Sequence, residues 1–156
     1  MNNFPFTEVY DVALRLGLAV TAGIILGLNR WLHHKPAGVR THSLVALGAA
    51  LAVVLVTRAV GSDAQALSRV IQGLVTGVGF IGAGVIWRAV EEQKVFGLTT
   101  AATIWASAIL GIVCGTGDYV LGTVALIFMM AILFIGGPLE EGIEKMLDKK
   151  SVQKSG

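Results

Sequence analysis

Residues 27–51, GLNRWLHHKPAGVRTHSLVALGAAL, place a short polar turn between two apolar runs. Three cationic residues and all three histidines of the chain fall within thirteen positions here: Arg30, His33, His34, Lys35, Arg40 and His42. A basic cluster between long apolar runs is typical of a loop that joins two transmembrane helices and fixes their orientation. Such a cluster could also bind an anionic ligand, a lipid headgroup or a partner protein.

The whole chain has the composition of a membrane protein. Of its 156 residues, 54% are hydrophobic and 14% are charged, and the mean hydropathy is +0.75. Residues 95–117 and 119–139 contain no Asp, Glu, Lys or Arg. Each run is long enough for a helix to cross a hydrocarbon core of about 30 Å. The pattern predicts an all-α, polytopic helical bundle. Its five expected spans are approximately 9–29, 42–60, 69–88, 97–116 and 118–137.

The distribution of Lys and Arg predicts the orientation. With five spans, nine basic residues from three separate segments fall on one side: Arg30, Lys35, Arg40, Arg88, Lys94, Lys145, Lys149, Lys150 and Lys154. Arg15, Arg58 and Arg69 lie at span ends on the other side. The N-terminus is therefore expected outside and the C-terminus in the cytoplasm. A signal peptide is the alternative for the first span, but Glu8 and Asp11 stand where basic residues would be.

The chain divides into a transmembrane domain, residues 1–137, and a short cytoplasmic amphipathic helix and tail, residues 138–156. Pro138 at its start and lysines towards its end suit a separate helix there. We expect that helix to rest on the membrane surface, with docking to a partner as the alternative. The single cysteine, Cys114, excludes an internal disulfide. In the first span, the spacing of Asp11 and Arg15 predicts an ion pair.

The third span, SRVIQGLVTGVGFIGAGVIWR from residue 68, is rich in glycine. At about 100° per residue, one helix face holds the following residues: Arg69, Gly73, Thr76, Gly77, Phe80 and Gly84. Gly73 and Gly77 form a G-x-x-x-G step, which allows close helix packing in lipid, either within the bundle or in a homodimer. The functional alternative is a helix that lines a cleft or pathway, with Gly82 nearby and Arg69 guarding the entrance.

The fourth span carries a hydroxyl stripe. Thr100, Thr103 and Ser107 lie within a narrow arc of the helix, and Thr99 is at its edge. Such a stripe should face protein, where it either bonds neighbouring helices, at about 0.6 kcal/mol each, or forms a polar pathway.

The usual catalytic signatures are absent from the sequence, and no pair of carboxylates lies at a span centre. Adjacent His33 and His34 point about 100° apart on a helix, so they cannot chelate a metal together. We expect no enzymatic activity, no cofactor and no metal site.

Three ordered motifs together resemble the MgtC/SapB family of bacterial inner-membrane proteins. They are residues 27–51, the glycine-rich residues 68–86 and GLTTAATIWASAILG at 97–111. The resemblance implies a helical membrane domain, adaptation to low magnesium and ionic stress, and, in pathogens, virulence through intracellular survival. In parts of the family it also implies action on the proton-translocating ATP synthase.

The resemblance also places the family's polar signature on this chain at Asn29, Arg30, Lys35, Pro36, Gly38, Arg40 and Thr41. Many members carry Glu where this chain has Asn29, and many carry an acid at the position of Ala66. Those departures argue against a divalent cation site here.

We therefore expect a non-enzymatic, multi-pass inner-membrane protein that binds a membrane partner or small ligand. The expected binding residues are Asn29, Arg30, Lys35, Pro36, Arg40, Thr41 and Arg69. The alternative is an ion or small-solute transporter or channel, magnesium included, with a pathway along Gly73, Thr76, Gly77, Gly82, Gly84, Thr99, Thr100, Thr103 and Ser107. The expected partners are membrane lipids, another membrane protein such as the ATP synthase, and a second copy of the chain, but not nucleic acid.

Overall fold

Five long helices and one small β-hairpin make up the computed structural model, which describes residues 6–61, 63–89 and 94–154. The elements in chain order are α1 (Phe6–Leu32), α2 (Val39–Val60), α3 (Ala64–Ala83), β1 (Trp87–Ala89), β2 (Lys94–Phe96), α4 (Leu98–Thr116) and α5 (Tyr119–Lys154). All five helices are long and apolar enough to span a membrane. The prediction of an all-α bundle with five spans is confirmed. The orientation of the termini stays a prediction.

The core of the bundle is formed by α1, α2 and α4, whose backbones touch at glycines. A Cβ atom on Gly27 of α1 would lie 2.5 Å from the Cα atom of Val39, and one on Gly111 of α4 would overlap the carbonyl of Ala46. Real Cβ atoms cannot approach a backbone so closely, so any side chain at these positions would force the helices apart. Close contact between helix backbones is how membrane helices associate when lipid supplies no hydrophobic driving force between them.

The glycine face of α3 lies outside this core. Gly73 and Gly77 are exposed, and a Cβ atom on either would meet nothing within 4 Å. Only Gly82, beside Ala101 of α4, and Val78 are buried on this helix. The packing interpretation of Gly73 and Gly77 therefore does not hold within the described chain, because α3 rests on α4 through a different face.

The connection between α3 and α4 differs from the predicted span end at residue 88. Helix α3 begins at Ala64, where the Asp63 carboxylate accepts hydrogen bonds from two first-turn N–H groups, and it ends at Ala83. An antiparallel hairpin follows, in which Trp87 pairs with Phe96 and the two rings stack with centroids 4.6 Å apart. Strands of three residues leave too short an alternation to be predicted from sequence.

Helix α5 continues without a break past Pro138 to Lys154, so the prediction that a separate helix starts at Pro138 is wrong. Proline disfavours the helical conformation of the preceding residue through a clash with its Cβ atom, and that residue is Gly137, which has none. The tail is helical as expected, but the boundary at residue 138 is not a break in secondary structure.

Candidate functional site: a buried polar cluster and a groove at one end of the bundle

The bundle has two ends of different chemistry. The hairpin end is formed by the turn at residues 33–38 and the hairpin strands, and the opposite end by the starts of α1 and α3, the end of α2 and the turn at 117–118. Because consecutive helices run antiparallel, Arg30 in the last turn of α1 lies at the hairpin end, and Arg69 in the second turn of α3 lies at the opposite end.

Six polar side chains are buried between α1, α2 and α4, and we call them the polar cluster. They are Asn29, Arg30, His42, Thr100, Thr103 and Ser107. Their burial follows from helical spacing, since each lies on a face that carries other buried residues, such as Ala46, Ala49 and Val53 after His42 in α2. The structure thus brings together two groups of residues that are far apart in the sequence, those of the basic turn and those of the hydroxyl stripe.

Arg30 is the charged member of the cluster and is only 6% exposed. Its Nη2 atom lies 3.5 Å from the Oγ1 atom of Thr100, and its Nε atom has no hydrogen-bond partner in the described chain. A guanidinium keeps its charge and offers five donors. At least one buried donor of Arg30, its Nε–H, is therefore unsatisfied by the described residues.

Asn29 precedes Arg30 and is 4% exposed. Its side-chain Nδ2 atom also has no partner in the described chain. Buried polar groups are nearly always hydrogen-bonded, and leaving one unsatisfied costs about 1–3 kcal/mol. Asn29 and Arg30 thus each have a buried donor without a partner among the described residues, and an acceptor from outside those residues would satisfy it.

His42 connects α2 to α4. Its Nδ1 atom lies 2.9 Å from the carbonyl oxygen of Gly38, and its Nε2 atom lies 3.2 Å from the Oγ1 atom of Thr103. A carbonyl only accepts, so Nδ1 carries a proton. The Thr103 hydroxyl also donates to the carbonyl of Thr100 at 2.9 Å. The single hydroxyl proton of Thr103 can be donated either to the carbonyl of Thr100 or to the Nε2 atom of His42. The protonation of His42 and the orientation of this hydroxyl are therefore coupled.

The hydroxyl stripe faces protein. Thr100, Thr103 and Ser107 are buried, while Thr99 is exposed. Ser107 donates to the carbonyl of Thr103 in its own helix. The contacts between helices are therefore those of Thr100 with Arg30 and of Thr103 with His42.

The rest of the predicted binding residues separate into two groups. Pro36, Arg40 and Thr41 line a groove of about 790 Å³ at the hairpin end, while Lys35 is exposed beside it. Arg69 is exposed at the opposite end and does not meet the others.

The other predicted pathway residues lie on α3. Thr76 is exposed and donates back to the carbonyl of Gln72, and Gly84 caps the end of the helix.

His42 is the member of the polar cluster that is missing from the predicted binding and pathway residues. The other two histidines, His33 and His34, are exposed. No three His, Cys, Asp or Glu side chains within residues 6–61, 63–89 and 94–154 are grouped to hold a metal ion. Helical spacing could have found His42, because it begins the buried small-residue face of α2.

The opposite end contains ion pairs. Arg15 Nε lies 2.8 Å from the Oδ2 atom of Asp11, as predicted, and Arg15 Nη1 donates to the carbonyl of Gly115 at 2.9 Å. Arg58 pairs with Glu8 at 3.0 Å. These residues line a cavity of about 860 Å³ that also borders the start of α3.

Comparison with known proteins gives a consistent family. A family model described as the MgtC family matches residues 16–142. Protein SrpB of Synechococcus elongatus is 44% identical over 139 residues, 83% of this chain and 76% of the relative. Protein MgtC of Brucella abortus is 40% identical over 126 residues, 81% of this chain and 51% of the relative.

A protein of Escherichia coli named putative magnesium transporter YhiD is 43% identical over 130 residues, which are 79% of this chain and 59% of the relative. The chain thus spans about half to three-fifths of the Brucella and Escherichia relatives. No solved structure matches the chain.

Proposed function

This chain belongs to the MgtC family, and on that premise we propose that it serves adaptation to low magnesium and ionic stress. We propose that it does so as a non-enzymatic, multi-pass protein of the bacterial inner membrane that binds a membrane partner or small ligand. The resemblance to the family suggests the proton-translocating ATP synthase as one such partner.

One observation carries the proposal: Arg30 is buried, and its Nε atom, like the Nδ2 atom of Asn29, has no hydrogen-bond partner among the described residues. An arginine fork binds a carboxylate or phosphate through two parallel hydrogen bonds, which lysine cannot copy. Arg30 lies in the last turn of α1, so an acidic group of a partner has only to enter at the hairpin end. The predicted orientation puts this end in the cytoplasm.

The charge distribution favours binding over cation transport. Carriers of protons or cations usually place carboxylates inside the membrane. The acids of α1, Glu8 and Asp11, lie within its first two turns, and the described α2, α3 and α4 contain none. The buried charge of the bundle is instead a cation.

Complementation of a deletion strain in low-magnesium medium tests the proposal. We expect Arg30→Lys and Arg30→Ala both to fail, because the fork geometry is lost in each. Arg88→Ala, at an exposed arginine of the hairpin end outside the polar cluster, should complement as the unchanged protein does. Immunoblots of membrane fractions would establish equal amounts of each variant. Full complementation by Arg30→Lys would show that charge alone suffices and would end the specific-site proposal.

Magnesium transport is the second candidate, because two cavities open at opposite ends of the bundle and α3 borders both. The name of the Escherichia coli relative agrees with it. Purified protein in liposomes that enclose a magnesium-sensitive dye distinguishes the two functions. Binding predicts no flux above empty liposomes, whereas flux that Thr103→Val abolishes would establish transport through the hydroxyl stripe.

A further inference from the structure

The groove at the hairpin end has a polar rim and apolar walls. Leu28 of α1, Leu44 and Val45 of α2 and Ile81 of α3 line its apolar part. Leu28 is 43% exposed, Leu44 66% and Ile81 45%. Arg40 and Thr41 lie at the rim, in the first turn of α2. The groove is thus charged where the helix begins and apolar a turn further into the bundle.

The start of α2 leaves hydrogen-bond donors free. The first N–H groups of any helix have no partner within the helix, and Gly38 at the cap position has no side chain to supply one. The helix dipole adds partial positive charge at the same place. Arg40 is exposed beside these groups. Backbone donors, the dipole and a guanidinium therefore all favour an anion at the rim.

We propose that this groove binds one anionic phospholipid. The phosphate lies at Arg40 and the first N–H groups of α2, and one acyl chain lies along Leu28, Leu44 and Ile81. Basic pockets between transmembrane helices are known to hold anionic lipid headgroups. Trp31, which is 63% exposed and lines the same groove, is an aromatic side chain of the kind enriched at the membrane–water interface.

The groove is charged at its rim and apolar further into the bundle, and this arrangement favours a lipid over a soluble anion as the ligand. Free phosphate would use only the rim and leave the apolar walls empty. Leu28 lies one turn inside the end of α1, and Leu44 lies more than one turn inside α2, at a depth where an acyl chain is the natural neighbour. The inference goes beyond the proposed function, because it concerns the groove residues and stands whatever the polar cluster binds.

Native mass spectrometry of the purified full chain in detergent tests the inference. Phosphatidylglycerol or phosphatidylcholine is titrated in, and the affinity for the first bound lipid is measured. We expect phosphatidylglycerol to bind more tightly. Arg40→Gln should weaken it about fivefold, since one basic residue contributes about 1 kcal/mol to anionic lipid binding. Ile81→Trp, which narrows the apolar part and keeps the charge, should weaken it as well.

Arg88→Gln is the matched control, because it removes an exposed arginine from the same end but outside the groove. It should change the affinity by less than about twofold, as expected of a solvent-exposed charge screened by salt.

Three results would overturn the proposal. Equal losses with Arg40→Gln and Arg88→Gln would indicate general surface charge. Unchanged binding with Ile81→Trp would exclude the acyl chain from the groove. Displacement of phosphatidylglycerol by millimolar inorganic phosphate would indicate a soluble-anion site. Should Arg40→Gln aggregate, Ile81→Trp and phosphate competition still decide the question.

Discussion

Arg15 and Arg58 at the opposite end of this bundle have different surroundings from Arg30 and Arg40 at the hairpin end. At the opposite end, Arg15 pairs with Asp11 and Arg58 with Glu8. At the hairpin end, Arg30 is buried and contacts the Thr100 hydroxyl, and neither it nor Arg40 forms an ion pair within the described residues. Arg15 and Arg58 are thus used for internal ion pairs, whereas Arg30 and Arg40 have no carboxylate partner among the described residues.

The difference follows from the groups to which the side chains of Arg15 and Arg30 donate hydrogen bonds. Arg15 donates to the carbonyl of Gly115, one of the last carbonyls of α4, which no N–H within the helix can satisfy. A cation there also complements the negative end of the helix dipole. Arg30 lies at the negative end of its own helix α1, which favours a cation, but its side chain contacts a hydroxyl at the positive start of α4.

Cysteine labelling gives the largest expected contrast, because it is all-or-none. In a Cys114→Ser background, cysteines at Asp63 and Asp118 should react with an impermeant thiol reagent in intact cells. Cysteines at Lys35 and Lys94 should react only after the cells are opened. The expectation follows from the nine basic residues on the hairpin side. Labelling at Lys35 from outside would place the hairpin end outside the cell and remove the cytoplasmic partner from the proposal.

Removing the partly buried contacts of Arg15 should lower stability by an intermediate amount. Arg15→Gln loses the ion pair with Asp11 and the bond to the carbonyl of Gly115, so we expect a decrease of about 1–3 kcal/mol in the free energy of unfolding. Denaturation of the purified protein followed by circular dichroism measures it.

Glu8→Gln is the matched comparison at the same end, because it breaks the Arg58 pair in which both side chains are about half exposed. Exposed pairs are worth about 0–1 kcal/mol. If the Glu8 variant were the less stable of the two, the capping role of Arg15 would be wrong.

The smallest expected effect concerns association between copies of the chain. Gly77 is exposed on the face of α3 that also carries Arg69, and a dimer through this face would cover both residues. Gly77→Leu should reduce the crosslinked dimer in detergent without lowering stability. Gly48→Leu is its control, at an exposed glycine of α2 that also has open space around it. A monomer at every detergent-to-protein ratio for the unchanged protein would contradict the dimer.

Part of the candidate site could be predicted from sequence. The Asp11–Arg15 pair follows from residues four apart on one helix, and the burial of Thr100, Thr103 and Ser107 follows from hydroxyls on one narrow arc. Both depend on local spacing alone. The meeting of Arg30 with Thr100, seventy positions away, depends on how two helices are rotated against each other, which local spacing does not encode.

The glycines show the same difference between what local spacing predicts and what helix packing determines. A G-x-x-x-G step in α3 has the local pattern of a packing site, yet Gly73 and Gly77 are open, and Gly27 and Gly111 make the close contacts. The pattern states only that a helix can be approached closely. Which helix packs against that face is determined by the packing of all the helices in the bundle.

The sequence by itself determined the five spans, since a helix in lipid must bond its own backbone and keep about 20 apolar residues in a row. It also determined that charge gathers at the helix ends, because charges are costly in the membrane interior. Only the tertiary structure decided that Arg30 is buried with no carboxylate partner among the described residues, that His42 joins the hydroxyl stripe and that Arg40 lines a groove with apolar walls. Those outcomes depend on helix rotation and crossing, which are fixed by the packing of all the helices together.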